Sequence, residues 1–267
     1  MDEDFSKYNG NDTALRKAQL RLLEMLIEID KICKKHNIPY WIDGGTTLGA
    51  IRHGGFIPWD DDIDIALLRK DYLKLVKILG QELPENLALQ NHKNEKHFHM
   101  LYSRVADKHS LADYGGDSAP FRKHFKYQGL FLDIFYIDRG NLGLKRFVDF
   151  FYFISFRIIR KHNKRGNNKL MWLFSHFVWI ASRFFVFILR HLAFLFPKDK
   201  LIYGFGIPYN WEFRKHEILP VKPIEFERKI VSGPCDTQAY LARCFGDYME
   251  IPPKDQRPAH AKTIEIY

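Results

Sequence analysis

The chain has 267 residues, of which 46% are hydrophobic and 27% charged, and it carries a formal net charge of +9. That is enough apolar material for one sizeable domain, or one domain with a large insertion, and it excludes wholesale disorder. Three cysteines (Cys33, Cys235 and Cys244) without a Cys-x-x-Cys spacing read as ordinary thiols of a reducing compartment, and the acidic start MDEDFSKYNG has no secretory character, so a cytoplasmic location is expected.

In chain order, residues 12–37 are expected to be helical. Asp12 can cap them, Leu15, Leu22, Leu26, Ile29 and Cys33 recur at helical spacing, and Lys34, Lys35 and His36 suit the carboxyl end. A short strand, Tyr40-Trp41-Ile42, runs into Asp43-Gly44-Gly45, where a helix over 46–53 begins. An acidic strand follows at 62–67, then a helix over 70–79 with Leu73, Val76 and Leu79 turned inward. Strands are expected at 87–90, 99–105 and 129–136. Residues 144–196 read as two long aromatic-rich helices broken at 163–168, and 224–230 as a strand. Asp236 caps a helix through Cys244, and Phe245-Gly246-Asp247-Tyr248 leads to a polar tail. The pattern is that of an α+β (or α/β) domain: a catalytic core over 1–143, a basic helical insertion over 144–200, and a part over 201–267 that completes the core.

The chemistry is concentrated in Asp60-Asp61-Asp62-Ile63-Asp64. At an effective dielectric near 20, two unit charges about 5 Å apart cost roughly 3 kcal/mol, so such a run is tolerated when a cation neutralises it. In Asp62-Ile63-Asp64-Ile65 a strand puts both acids on one face and both isoleucines in the core. Oxygen-only ligands suit Mg²⁺ or Mn²⁺ with positions left for phosphate oxygens. Of Asp60 and Asp61, one, assigned as Asp60, serves as a further ligand, while the other faces water. Gly44, Gly45 and Thr46, at a helix start, can present backbone N–H groups to an anion. Asp133, inside the apolar Leu132-Asp133-Ile134-Phe135, needs a cation or a hydrogen-bonding partner. It is expected as a third site acid, as metal ligand or as base, in preference to an ion pair with Arg104. Arg52 and His53 are assigned to donor phosphates or the leaving nucleotide. His97 and His99 have no cysteine nearby, and a zinc site there is set aside.

The stretch 144–200 carries twelve Lys or Arg against Asp149 and Asp199, so the basicity of the chain belongs to this segment. Residues 170–196 are apolar at 21 of 27 positions, yet Arg183 and Arg190 lie deep inside. Arginine is costly in hydrocarbon, so helices lying in a membrane interface fit better than spans. The interleaved aliphatic and phenylalanine surface suits lipid better than nucleic acid.

The stretch from Trp41 to Asp64 (WIDGGTTLGAIRHGGFIPWDDDID), together with Phe131-Leu132-Asp133-Ile134-Phe135 and 245–253, resembles the LicD family, which is related to fukutin-type transferases. The resemblance implies a nucleotidyltransferase-like mixed sheet flanked by helices. It implies Gly44-Gly45 as the phosphate turn, Asp62 and Asp64 as the metal pair and Asp133 as the matching acid. It further implies transfer of a phospho-alcohol, typically phosphocholine from CDP-choline, onto a cell-surface or lipid-linked glycan with release of CMP, at the inner membrane face. His260 is a candidate to reach back to the site. A metal-dependent glycosyltransferase and a non-catalytic, membrane-associated member of the fold are the alternatives. Trp41, Trp59, Tyr102 and Trp211 are candidates for gripping a quaternary ammonium.

Overall fold

The computed structural model describes residues 4–114, 122–165, 169–191, 195–257 and 261–267; His260 lies outside them. The elements are α1 (Ser6–Asn9), α2 (Ala14–Lys35), β1 (Trp41–Ile42), α3 (Gly44–His53), β2 (Ile63–Leu68), α4 (Arg69–Glu82), β3 (Leu87–Gln90), β4 (Ser103–Asp107), β5 (Ser110–Asp113), β6 (Phe131–Arg139), α5 (Leu142–Arg165), α6 (Lys169–His191), β7 (Lys200–Tyr203), β8 (Glu212–Arg214), α7 (Lys215–Ile218), β9 (Lys222–Phe226), β10 (Lys229–Gly233), α8 (Thr237–Phe245) and β11 (Thr263–Ile266). The result is an α+β architecture around a mixed seven-stranded sheet.

Nine-residue β6 is the axis of the sheet. It runs parallel to β2 on one side; on the other, its first half pairs antiparallel with β4 and its end with β7. β1 extends the sheet beyond β2, β3 beyond β4, and β8 beyond β7. The strand that follows the long helices thus returns to the sheet that precedes them. Seven consecutive residues of β6 are buried, as expected for a strand covered on both faces. Leu22, Leu26 and Ile29 of α2 and Leu75 and Leu79 of α4 pack into the same core as Ile63, Ile65, Leu132 and Ile134.

Several local expectations are corrected. Thr13, not Asp12, caps α2, its hydroxyl accepting the Arg16 N–H at 3.1 Å. On α4 the inward face is Tyr72, Leu75 and Leu79; Leu73 is exposed, because the helix starts at Arg69 and the burial stripe follows that phase. The expected strand at 224–230 is a hairpin of β9 and β10, turned by Glu227 and Arg228, both at positive φ. The tail is not wholly irregular: β11 pairs with β5.

On α5 and α6 the usual amphipathic arrangement is inverted. Buried Lys145 pairs with buried Asp149 and donates to the Ile207 carbonyl at 2.8 Å, and Asp149 accepts the Gly206 N–H at 2.7 Å. Tyr152 donates to the His99 carbonyl, and Arg190 reaches the Tyr136 hydroxyl on β6. These contacts bind the two helices to the sheet. Along α6, Leu170, Leu173, Phe177, Ile180, Phe184 and Phe187 recur at alternating steps of three and four, and all are exposed, Phe177 to 68% and Phe184 to 65%. None of the described helices is long and apolar enough to cross a membrane.

Candidate active site

Parallel pairing of β2 with β6 sets Asp64 directly opposite Asp133, and antiparallel pairing of β6 with β4 sets Arg104 opposite Asp133 on the other side. One row across the sheet therefore reads Asp64, Asp133, Arg104. Arg104 grips Asp133 with both arms of its guanidinium, Nε to Oδ1 at 2.8 Å and Nη2 to Oδ2 at 3.0 Å, and its plane covers the Phe131 ring at 3.5 Å. The cation that a strand-interior carboxylate needs is here supplied by the protein. Asp133 lies beside the acidic pair, then, with its carboxylate engaged by Arg104.

Alternation along β2 buries Ile63 and Ile65 and leaves Asp64 half-buried on the opposite face, with Asp62 half-buried just before the strand. Burial raises the Asp64 carboxyl well above the usual carboxylate range, and Asp62, Asp133, Asp43 and Asp60 push it in the same direction. Five carboxylates thus share one electrostatic neighbourhood. Asp61 is not the water-facing acid of the run. It is buried to 2% exposure and accepts the Ala261 N–H at 2.8 Å, which ties the tail to the acidic loop. A cavity of about 490 Å³ opens beside it, between Trp59, Tyr8, Arg257 and Lys262.

The glycine turn serves close approach. Gly44 takes φ +48°, a left-handed conformation that a side chain disfavours. A Cβ on Gly45 would stand 3.2 Å from an Asp60 carboxylate oxygen, and one on Gly44 3.9 Å from Asp64. The turn's own donors are largely committed: the Gly44 N–H to the Tyr240 hydroxyl at 2.8 Å and the Thr46 N–H to the Asp43 carbonyl at 3.0 Å. Thr46 accepts the Asp64 N–H through its hydroxyl at 2.9 Å, so it fastens β2 to α3. Arg52 and His53 sit at the other end of α3, roughly 12 Å along the helix from Gly44. Arg52 donates to the Tyr248 and Glu250 carbonyls, and the His53 ring packs edge-on against Phe5 and Trp59. The structure does not bring these two to the acids.

Sequence reasoning assigned no role to Asp43, whose carboxylate lies beneath the turn. It accepts from Tyr240 at 2.6 Å, Tyr203 at 2.7 Å and Trp41 at 3.1 Å. Burial raises its carboxyl, and the three donors oppose that rise. An acid directly before Gly-Gly at a strand end was a visible signal; nothing local in the sequence marks Tyr203 or Tyr240, which arrive from β7 and α8.

The donor set fits a hard divalent cation, since it is all oxygen and the neighbouring acids, after burial, push the Asp64 carboxyl up. Among the described residues no group of three or more acids, histidines or cysteines is arranged to hold an ion by itself. Any ion held there would rest on Asp62 and Asp64 and take its remaining ligands from elsewhere, as Mg²⁺ does where it shares carboxylates with phosphate oxygens.

A mixed sheet thus sets acids on neighbouring strands beside a glycine turn. Residues 37–156 match the LicD/FKTN/FKRP nucleotidyltransferase domain, and the chain carries a domain of this family. Over 94% of its length it is 28% identical to the lipopolysaccharide cholinephosphotransferase LicD of Haemophilus influenzae, covering 98% of that protein. It is 27% identical over 128 residues to human ribitol-5-phosphate transferase FKTN, and 42% identical over 45 residues to human ribitol 5-phosphate transferase FKRP. Those two matches span 25% and 9% of the human proteins.

Proposed function

We propose that the protein transfers a phospho-alcohol, phosphocholine from CDP-choline, onto a hydroxyl of a cell-surface or lipid-linked glycan. The observation that carries this reading is the meeting of Asp62 and Asp64 with Asp43, Asp60 and Asp133 at the Gly44 turn. The near full-length similarity to a protein named for cholinephosphate transfer supports the choice of alcohol. In the reaction, an acceptor oxygen bonds to the choline-bearing phosphorus and the bond from that phosphorus to the CMP oxygen breaks. CMP departs with the electron pair, and the hydroxyl proton passes to a carboxylate of the cluster. Asp62 and Asp64 would hold Mg²⁺ or Mn²⁺, which supplies charge neutralisation for the diphosphate. Asp43 and its two tyrosines hold the turn, Thr46 holds the acidic strand, and Arg104 fixes Asp133.

The reading places the enzyme at the inner membrane face, on α5 and α6. An exposed stripe of six large apolar residues is the surface expected of a helix lying in the headgroup region, and exposed Arg146 and Arg157 belong to the same basic segment. An anionic leaflet complements that charge.

The test is to incubate purified protein with Mg²⁺ and a panel of CDP-alcohols and nucleotide-sugars. CMP released from CDP-choline, faster with acceptor glycan, is the expected result. UDP released from a sugar donor moves the protein to glycosyl transfer, and no release from any donor makes it a non-catalytic member of the fold.

A further inference from the structure

Choline's ammonium stands two carbons from its phosphate oxygen. Whatever recognises it therefore lies immediately beside the acids that take the phosphate. Of the four aromatics singled out in the sequence, two are disqualified by position. Trp41 is fully buried with its indole N–H on Asp43, and the Trp59 ring already has the Arg257 guanidinium over it at 4.4 Å. Tyr102 and Trp211 remain, and Phe135 and Tyr209 link them in one run of ring contacts.

Tyr209 and Trp211 lie two residues apart just before β8, so extended backbone sends both rings the same way. They stack at 5.1 Å between centroids with 5° between planes. Tyr209 also meets Phe135 edge-on at 5.4 Å and Tyr203 at 5.3 Å. Phe135 follows Asp133 by two residues on β6 and touches Tyr102 at 4.8 Å. Tyr203 is itself hydrogen-bonded to Asp43. Tyr209, Trp211 and Tyr102 are all half-buried, whereas Phe135 and Tyr203 behind them are buried. The Tyr209 hydroxyl is pushed far up, foremost by the charge of Asp64, then by burial, then by Asp62 and Asp43, which puts the stack within the field of the acidic pair.

Resting on the phosphocholine reading, we propose that Tyr209, Trp211 and Tyr102 form the subsite for the trimethylammonium group of the donor. A quaternary ammonium has no N–H to donate and is weakly hydrated, so aromatic faces in a negative field hold it better than hydrogen-bond acceptors do. The same wall offers little to a polyol such as ribitol, which needs hydrogen-bonding partners, or to a primary ammonium, which loses three donated hydrogen bonds on entering it.

The test uses the full chain and two readouts. In the first, choline and its uncharged isostere 3,3-dimethylbutan-1-ol are titrated separately while tryptophan fluorescence is followed. Choline is expected to bind roughly tenfold or more tightly than the isostere, and Trp211→Leu and Tyr209→Leu to erase that difference. Trp211→Phe is expected to keep most of it. Melting curves establish that each variant is folded, and Tyr102→Leu, expected to shrink the same difference, carries the test should a Trp211 or Tyr209 variant unfold. In the second, kcat/KM is compared for CDP-choline and CDP-ethanolamine, with Trp211→Leu expected to lower the former about tenfold more than the latter. Equal binding of choline and the isostere, or an equal loss on both donors, overturns the subsite while leaving CMP release from CDP-choline intact. If CDP-choline is not turned over yet choline binds in a Trp211-dependent way, the subsite stands and the phosphotransfer reading falls.

Discussion

Around β2 and β6 the isoleucines point into the core and the acids collect near the amino ends of the strands, whereas on α5 and α6 Lys145, Asp149 and Arg190 point inward and many phenylalanines outward. Both regions concentrate charge where a water-soluble domain ordinarily avoids it. In the sheet the charges are of one sign, and Asp64 is left among four other carboxylates. In the helices they are paired, Lys145 with Asp149, and Arg190 with Tyr136 and near Asp138. Charge of one sign is what the proposed cation and diphosphate would neutralise; balanced buried charge signals attachment, here of two helices to the sheet. The exposed apolar stripe on α6 is the counterpart of that inversion.

The comparison breaks most decisively at the acids. Asp62→Ala or Asp64→Ala is expected to lower CMP release at least a thousandfold in the presence of Mg²⁺. Thermal melting without metal should be unchanged or higher, because repulsion is relieved. A variant that melts normally and retains half its turnover would remove the acids from the chemistry. Next in size is the attachment of the helices. Asp149→Asn strands Lys145 and should cost about 3–5 kcal/mol in urea unfolding, and adding Lys145→Met should restore much of it. Equal stability of all three proteins would mean that the pair does not hold α5.

Somewhat smaller, Phe177→Glu with Phe184→Glu should weaken sedimentation with anionic liposomes about a hundredfold, since each buried phenylalanine is worth about 1.5–3 kcal/mol. CMP release from soluble donor should be unaffected. Undiminished liposome binding would assign the stripe to another partner. The smallest effect concerns His53, which burial, and then Arg52, lower to about 4. The unfolded chain binds this proton near 6.5, before the folded one does, so the stability present above that pH declines as pH falls toward 4. Solvent screening limits the loss to about 1 kcal/mol between pH 7.5 and 5, and His53→Phe should flatten the profile.

Much of the candidate site's local geometry was legible because its signals are local. Asp62-Ile63-Asp64-Ile65 alternates at strand period, and that alternation alone puts two acids on one face and two isoleucines in the core. The turn at Gly44 and the charge buried at Asp133 were visible for the same reason. Arg52 and His53 were misplaced by proximity in sequence, since a helix rising 1.5 Å per residue carries them away from the turn they follow. Asp61 and Asp60 could not be told apart, because a contact distant in sequence, the tail's Ala261 N–H on Asp61, makes that one a buried acceptor.

Periodicity and the spacing of acids settled the long helices and the strands that carry Asp64 and Asp133, and that the net positive charge belongs to the aromatic helices. All of these act over a few residues. Tertiary structure decided that Arg104 rather than an open position faces Asp133, that Tyr203 and Tyr240 brace Asp43, and that Tyr209 and Trp211 pack on Tyr203. Each of these depends on strand register or on the return of β7 to the sheet beyond the long helices, and pairing between strands far apart in the chain leaves no periodic trace in either one.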